Sequence, residues 1–120
     1  MRPEEIAAIC HAANRALTEC LRDVPVQPEW DDAPEDMKLS SIRGVMFAIN
    51  NPKATAEDQH RAWMDDKISS GWEYGPEKSD VMKTHPSLKP FGQLPDGVRT
   101  KDVLFRAIIK ALTQDAERVL

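Results

Sequence analysis

Residues 61–91 are the most unusual part of the chain and have the sequence RAWMDDKISSGWEYGPEKSDVMKTHPSLKPF. This segment contains two of the three tryptophans and the only tyrosine of the protein. It also contains glycines and prolines at positions where a helix would not continue smoothly. Tryptophan and tyrosine combine a large apolar ring with a polar group that needs a hydrogen-bond partner. We therefore expect the segment either to be pinned against a core or to form a pocket.

The segment is predicted to begin inside a helix. Thr55 is suited to the N-cap position, and Asp58 three residues later gives a pattern close to a capping box. The helix is expected to run to about Ser70, with Gly71 in the left-handed position that follows many helix ends.

Three more helices are predicted on either side of this one. The first begins near Pro3 and is ended by DVPVQP at residues 23–28. The second has Asp32 as its expected N-cap and stops at NNP, residues 50–52. The last begins near Thr100 and continues to the C-terminus.

Apolar residues at spacings of three and four predict which face of each helix is buried. Gly44 interrupts the second helix at a cost of about 1 kcal/mol relative to alanine, which a close contact with another helix would explain. The expected inner stripes are Ile6, Ile9, Cys10, Ala13, Leu17 and Leu21; Leu39, Ile42, Val45, Met46 and Ile49; and Val103, Leu104, Ala107, Ile108, Ala111 and Leu112.

The connection from Gly71 to Arg99 is long for a compact domain. Its apolar residues predict that it is anchored rather than loose, and GWEYG at residues 71–75 allows a short strand. The anchoring residues are expected to be Trp72, Tyr74, Leu88, Phe91 and Leu94. The predicted fold is therefore mainly α: one domain over residues 1–120, a small bundle of about four helices with one long structured loop and room for a minor β-strand.

Composition limits the classes of function. The net charge of −4 argues against binding to duplex nucleic acid, which requires a basic face. No apolar run approaches the roughly 18 residues that span a bilayer, and no signal peptide is recognisable, so we expect a cytoplasmic protein without a membrane partner. Cys10 and Cys20 would lie about 15 Å apart on one helix. We expect two buried free thiols.

The aromatic residues could hold a ligand. Trp63, Trp72 and Tyr74 offer flat faces for stacking a purine base, and Lys67 follows Trp63 by one helical turn. The alternative is that these rings only close the connection over the helices.

Lys83 and His85 belong to a locally basic stretch between Gly75 and Phe91 and could attract a phosphate. Alternatively, they only hold the turn before Pro86.

Other polar residues carry weaker signals. His11 and Asn14 lie beside the apolar stripe of the first helix, where a structural role is the simplest interpretation. Asp102 and Arg106 are spaced as an ion pair on the last helix. We find no spacing typical of a metal site, no glycine-rich phosphate loop and no catalytic set, so we expect no metal, no cofactor and no enzymatic activity.

One long motif resembles a known family. It has the form W-x3-K-x3-G-W-x-Y-G from Trp63 to Gly75, followed by D-x2-K-x-H-P-x-L-x-P-F-x2-L from Asp80 to Leu94. This pattern resembles the RyR domain, a module named for its repeats in ryanodine receptors and found alone in bacterial and phage proteins. The flanks CHAANR, Trp30, IRGVMF and KDVLFRAIIKAL are also similar to the family. Phe91 departs from it, since tyrosine is more usual there.

The resemblance implies a function. In the receptors one repeat pair resembles a regulatory site for nucleotide and drug-like aromatic ligands, and standalone prokaryotic copies are proposed sensors of nucleotide-derived signals in anti-phage defence. It suggests a bacterial or phage protein that senses or sequesters a nucleotide-like molecule through Trp63, Lys67, Trp72, Tyr74, Lys83 and His85. The alternative is a non-catalytic interaction or scaffold module, such as a homodimer, whose aromatic cluster is purely structural.

Overall fold

Four α-helices form a bundle in the computed structural model, which describes residues 1–21 and 26–118. They are α1 (Pro3–Cys20), α2 (Glu35–Asn50), α3 (Ala56–Ser69) and α4 (Asp96–Arg118). Both α1 and α3 pack against α2 and α4, which also contact each other. The mainly α class and the four-helix bundle are thus confirmed.

The core lies where α1, α2 and α4 meet. Its buried side chains are Ile6, Ala7 and Cys10 of α1, Val45 and Ala48 of α2, and Ile109 of α4. Gly44 of α2 lies against α3 and α4, because a Cβ there would be 3.3 Å from Cζ of Phe105 and 3.6 Å from Nε2 of Gln59. The predicted close helix contact at Gly44 is therefore confirmed.

The predicted starts of two helices were wrong. Pro34 is the N-cap of α2, and Asp32 ends a 3-10 turn, Trp30–Asp32, before it. A residue that precedes proline is held out of the helical region, so Ala33 is extended and separates the turn from α2. Helix α4 begins at Asp96 instead of Thr100, since the carbonyl of Pro95 accepts from the amides of Val98 and Arg99.

Parts of the predicted inner stripes were also wrong, since Ile9, Leu39, Met46, Ile49 and Val103 are at least one-third exposed. On α4 the inward side chains include Asp102, Phe105, Arg106 and Ile109, which are spaced three and four apart. Asp102 and Arg106 find partners on α3, so a search for apolar residues alone misses them, whereas the predicted Ile108 and Leu112 do pack against the core. Both cysteines are free as predicted, but Cys20 is exposed at the last position of α1. Residues 22–25, in the predicted break, and residues 119 and 120 lie outside the described part of the chain.

The end of α3 follows the prediction. Thr55 and Asp58 form a reciprocal capping box, and Gly71 has φ of +90°. Trp72 donates its amide to the carbonyl of Lys67 at 3.0 Å, and Gly71 donates to Ile68 at 3.0 Å. This pair of hydrogen bonds is a Schellman motif, which turns the chain out of the helix and fixes the position of Trp72.

The connection after α3 contains a minimal parallel sheet, as allowed for by the sequence. Strand β1 (Glu73–Tyr74) pairs with β2 (Thr84–His85), with Glu73 opposite Thr84 and Tyr74 opposite His85. Trp72, Leu88 and Leu94 are buried and anchor the connection. Tyr74 does not, since it is 55% exposed, and Phe91 opens a second 3-10 turn, Phe91–Gln93, where it is half-buried.

Candidate functional site

A cavity of about 430 Å³ opens between the four helices and the connection. It falls within the range of roughly 300–1,000 Å³ that is typical of small-molecule sites. Aromatic, basic and uncharged polar side chains share its walls.

Three of the six residues predicted to bind a ligand line this cavity: Trp63, Lys67 and His85. Trp63 and Lys67 come from α3, whereas β2 carries His85, so the fold brings together residues that are distant in the chain. The other three lie outside its lining: Trp72, Tyr74 and Lys83.

These three residues have other contacts. Trp72 is 7% exposed and lies under the amine of Lys67, which is 4.8 Å from the ring centroid. The amine of Lys89 lies over the ring of Tyr74, 5.8 Å from its centroid. Lys83 donates from Nζ to the carbonyl of Ser70 at 3.0 Å and so caps the C-terminal end of α3.

A row of rings forms the aromatic wall. The rings of His60 and Trp63 are stacked with centroids 5.5 Å apart, and Trp63 meets His85 edge to face at 5.0 Å. His60 is buried and donates from Nε2 to the carbonyl of Lys89 at 2.8 Å. This hydrogen bond fixes the ring against which Trp63 stacks.

Three lysines give the cavity a cationic end. Lys67, Lys78 and Lys101 all line it, from α3, the connection and α4. Burial lowers the pKa of Lys67 and of Lys101, and in both residues Lys78 adds to the effect by repulsion. The amines therefore lie in surroundings that would be improved by an anion.

His85 is uncharged at neutral pH. Burial lowers its pKa to about 4, helped by repulsion from Lys78, Lys67 and Lys101. Nδ1 of the ring accepts from the amide of Ser87 at 3.0 Å, so the remaining nitrogen, Nε2, carries the proton of the neutral ring.

The acidic groups of the cavity do not balance the lysines. Asp66 receives two hydrogen bonds from Arg43, at 2.8 and 3.0 Å, so this pair is neutral. Burial raises the pKa of Asp102 to about 7 against the opposing effect of Lys101, so a large fraction of this carboxyl is protonated at neutral pH. Its Oδ2 lies 3.7 Å from Nδ1 of His60.

The α1 side of the cavity is polar. It is lined by His11 and Asn14 of α1 and Ser40 of α2, together with Gln27. His11 donates from Nε2 to the carbonyl of Pro28 at 2.6 Å, and Arg15 donates to that of Gln27 at 2.9 Å. These bonds hold the segment after α1 against the helix.

A model of the RyR domain family matches residues 33–114, most of the chain. The chain belongs to the RyR domain family. The match includes the aromatic wall and the cationic end of the cavity, whereas the α1 residues that line the cavity lie outside it.

Sequence reasoning did not assign Lys78, Lys101, Asp102, His60 or Asn14 to the site of this RyR domain. The expected pair of Asp102 with Arg106 was wrong, because Arg106 donates to Gln59 at 2.7 Å and Asp102 faces His60. One signal was available in the sequence. Basic residues outnumber acidic ones between residues 75 and 91, and Lys78 is one of these basic residues. Nothing in the local pattern of α4 distinguishes Lys101 from its exposed lysine, Lys110.

Two further findings concern the described residues only. No three His, Cys, Asp or Glu side chains within residues 1–21 and 26–118 come together as a metal site. Across the same ranges, no helix has the length and apolar character needed to cross a membrane.

Proposed function

We propose that this RyR domain binds a small anionic molecule with an aromatic ring, of nucleotide type, in the interhelical cavity. The domain would act as a sensor of that molecule or would sequester it. The observation that carries the proposal is the convergence of Lys67, Lys78 and Lys101 on a cavity walled by aromatic rings.

The charge of the cavity favours an anion. Among the residues that line the cavity, one carboxyl that is not already paired opposes the three lysines, Asp102, and its raised pKa weakens that opposition. Asp36 and Asp80 act on Lys67 from outside the lining. Burial removes water from the charged amines of Lys67 and Lys101. A phosphate placed among them would supply negative charge that favours their protonated forms.

The aromatic wall favours a flat ring. Trp63 is half-buried, with His60 stacked on it and His85 in an edge-to-face contact with it. Stacking of a base on such a ring is worth about 1–3 kcal/mol. In this proposal Trp63, Lys67 and His85 contact the ligand, Trp72 supports Lys67, and Lys83 holds the end of α3.

Isothermal titration calorimetry with AMP, ADP, ADP-ribose and cyclic nucleotides tests the proposal. Lys101→Met should weaken the binding of the best ligand at least about tenfold, a change of about 1.4 kcal/mol, because it removes one of three charges without a loss of volume. The matched control is Lys110→Met, on the same helix but exposed and outside the cavity. Absence of binding by every nucleotide at millimolar concentration, or equal effects of the two variants, would contradict the proposal.

The proposed activity is binding without chemical change. Chromatography of the bound nucleotide after prolonged incubation should recover it intact, and recovery of a product would instead make the domain an enzyme. The proposed setting is the bacterial cytoplasm during phage infection. Expression in phage-challenged bacteria should change plaque numbers, and Lys101→Met should reverse that change.

The alternative function is self-association as an interaction module. It is favoured by the half-exposed Leu39, Met46 and Ile49, which follow one side of α2. Multi-angle light scattering distinguishes a monomer from a homodimer. A dimer that Met46→Lys dissociates would support this alternative, and a monomer at high concentration would remove it.

A further inference from the structure

The cavity has two ends with different chemistry, and the proposed anion uses only one of them. Lys67, Lys78 and Lys101 line the cationic end, to which the connection after α3 contributes Lys78. The other end is lined from α1 and α2, with Asn14 and Ser40 among the lining residues.

Asn14 is incompletely satisfied in the ligand-free protein. Its Oδ1 is covered from solvent and has no hydrogen-bond partner among the described residues. An unsatisfied buried acceptor of this kind destabilises a fold, because it loses its hydrogen bonds to water without gaining a partner. Such a group in a native structure therefore calls for a physical explanation.

The polar neighbours of Asn14 on α1 are already engaged. His11 donates to the carbonyl of Pro28, and Arg15 donates to that of Gln27. The Thr18 hydroxyl donates to the main-chain carbonyl of Asn14 at 2.7 Å and therefore does not hydrogen-bond the side-chain amide. Because Oδ1 is covered from solvent, a group that enters the cavity can pair with this acceptor only after the Asn14 amide turns.

We propose that the α1 end of the cavity is a second subsite, in which Asn14 accepts a hydrogen bond from an uncharged part of the ligand. This inference deepens the proposed function and rests on it. It defines the ligand class as a molecule with phosphate groups at one end and a hydroxyl or amino donor at the other, as in a nucleoside diphosphate.

The side chain can make this contact without movement of the helix. Because Oδ1 is covered, the contact requires a half-turn about the Cβ–Cγ bond of Asn14, which exchanges Oδ1 with Nδ2 and places Nδ2 in the covered position. This torsion has a broad energy profile. Asn14 lines the cavity, so such a turn can present its carbonyl to a bound molecule.

Two probes separate the subsites. Pyrophosphate matches only the cationic end, whereas ADP carries the same diphosphate together with sugar hydroxyls and a base amine. Asn14→Leu keeps approximately the side-chain volume and removes the amide. We expect it to weaken ADP binding about tenfold in calorimetry and to leave pyrophosphate binding unchanged.

Thermal unfolding of the ligand-free variant gives a second measurement. Asn14→Leu should raise the melting temperature, because it replaces an unsatisfied buried amide with an apolar group. The matched control, Asn50→Leu, changes an exposed residue outside the cavity and should leave ADP affinity unchanged. Asn14→Ala, which cannot clash, should reproduce the selective loss of ADP affinity if leucine does not fit.

The outcomes distinguish this inference from the proposed function. If the wild type binds ADP but neither variant at position 14 weakens it, the subsite is refuted and the nucleotide site stands. Equal weakening of ADP and pyrophosphate would also refute it, since that result indicates a general distortion. If the wild type binds neither probe nor any other nucleotide, the proposed function fails and this inference fails with it.

Discussion

Among single residues, Asp102 shows most clearly how the fold changes the chemistry of a side chain. It would be an ordinary exposed acid on an isolated helix, but packing against α3 buries it beside His60. Burial is the larger effect on its pKa, and Lys101 opposes it. The carboxyl is therefore held in a site that disfavours its ionised form.

Replacement of Asp102 by asparagine should stabilise the protein more at pH 8 than at pH 5. The native pKa of about 7 lies above the unfolded value of about 3.9. The native state therefore binds more protons between these values, and stability falls as the pH rises through this window. Urea unfolding of wild type and Asp102→Asn at both pH values measures the difference. An equal effect at the two pH values would indicate that Asp102 is not desolvated.

His85 has the opposite dependence. Its native pKa of about 4 lies below the unfolded value of about 6.5, so the unfolded state binds more protons between these values. Stability is then lost as the pH falls below about 6.5. His85→Gln, which cannot be protonated, should gain stability over the wild type at pH 5 and little at pH 8. The same unfolding measurement tests this, and a gain confined to pH 8 would contradict it.

Among the secondary structure elements, α3 organises the site. Its capping box fixes where it starts, and its Schellman motif fixes where Trp72 leaves it. Between these ends, His60, Trp63 and Lys67 follow at spacings of three and four and so face the cavity together. The end of this helix therefore positions both the aromatic wall and the support under Lys67.

Gly71→Ala should destabilise the protein by about 1–2 kcal/mol, because a side chain is unfavourable at a φ of +90°. Gly92→Ala is the matched control, since no atom lies within 4 Å of its added Cβ and its φ is not in the left-handed region. Chemical denaturation should therefore separate the two variants. Equal stability would mean that the chain leaves α3 differently in solution.

For the whole molecule, the distribution of charge matters more than its sum. The chain carries a net charge of −4, yet three lysines meet in one half-enclosed cavity. Approach of an anion is opposed by the overall charge at long range and favoured by these lysines at short range. The proposed site thus depends on local electrostatics.

Raising the salt concentration from 50 to 300 mM should weaken ADP binding and leave adenosine binding almost unchanged. Salt screens the attraction between the diphosphate and the lysines, which adenosine does not use. Calorimetry at the two salt concentrations provides the comparison. Equal salt dependence of the two ligands would argue against a phosphate at the cationic end.

Much of the local structure follows from residues close together in the chain. Thr55 with Asp58 and Gly71 defined α3, since caps and left-handed turns depend on only a few neighbouring residues. The motif from Trp63 to Leu94 likewise indicated the RyR domain family, which the match to residues 33–114 supports. The same segment supplied Trp63, Lys67 and His85 to the cavity.

The rest was decided by how the helices pack. The charged residues Asp102 and Arg106 face inward only because α3 supplies His60 and Gln59 as partners. Lys101 joins the site because α4 meets α3 at that turn, and Asn14 faces the cavity because α1 packs against α2 and α4. Such contacts join residues far apart in the chain, so apolar periodicity alone cannot determine which polar groups become buried together.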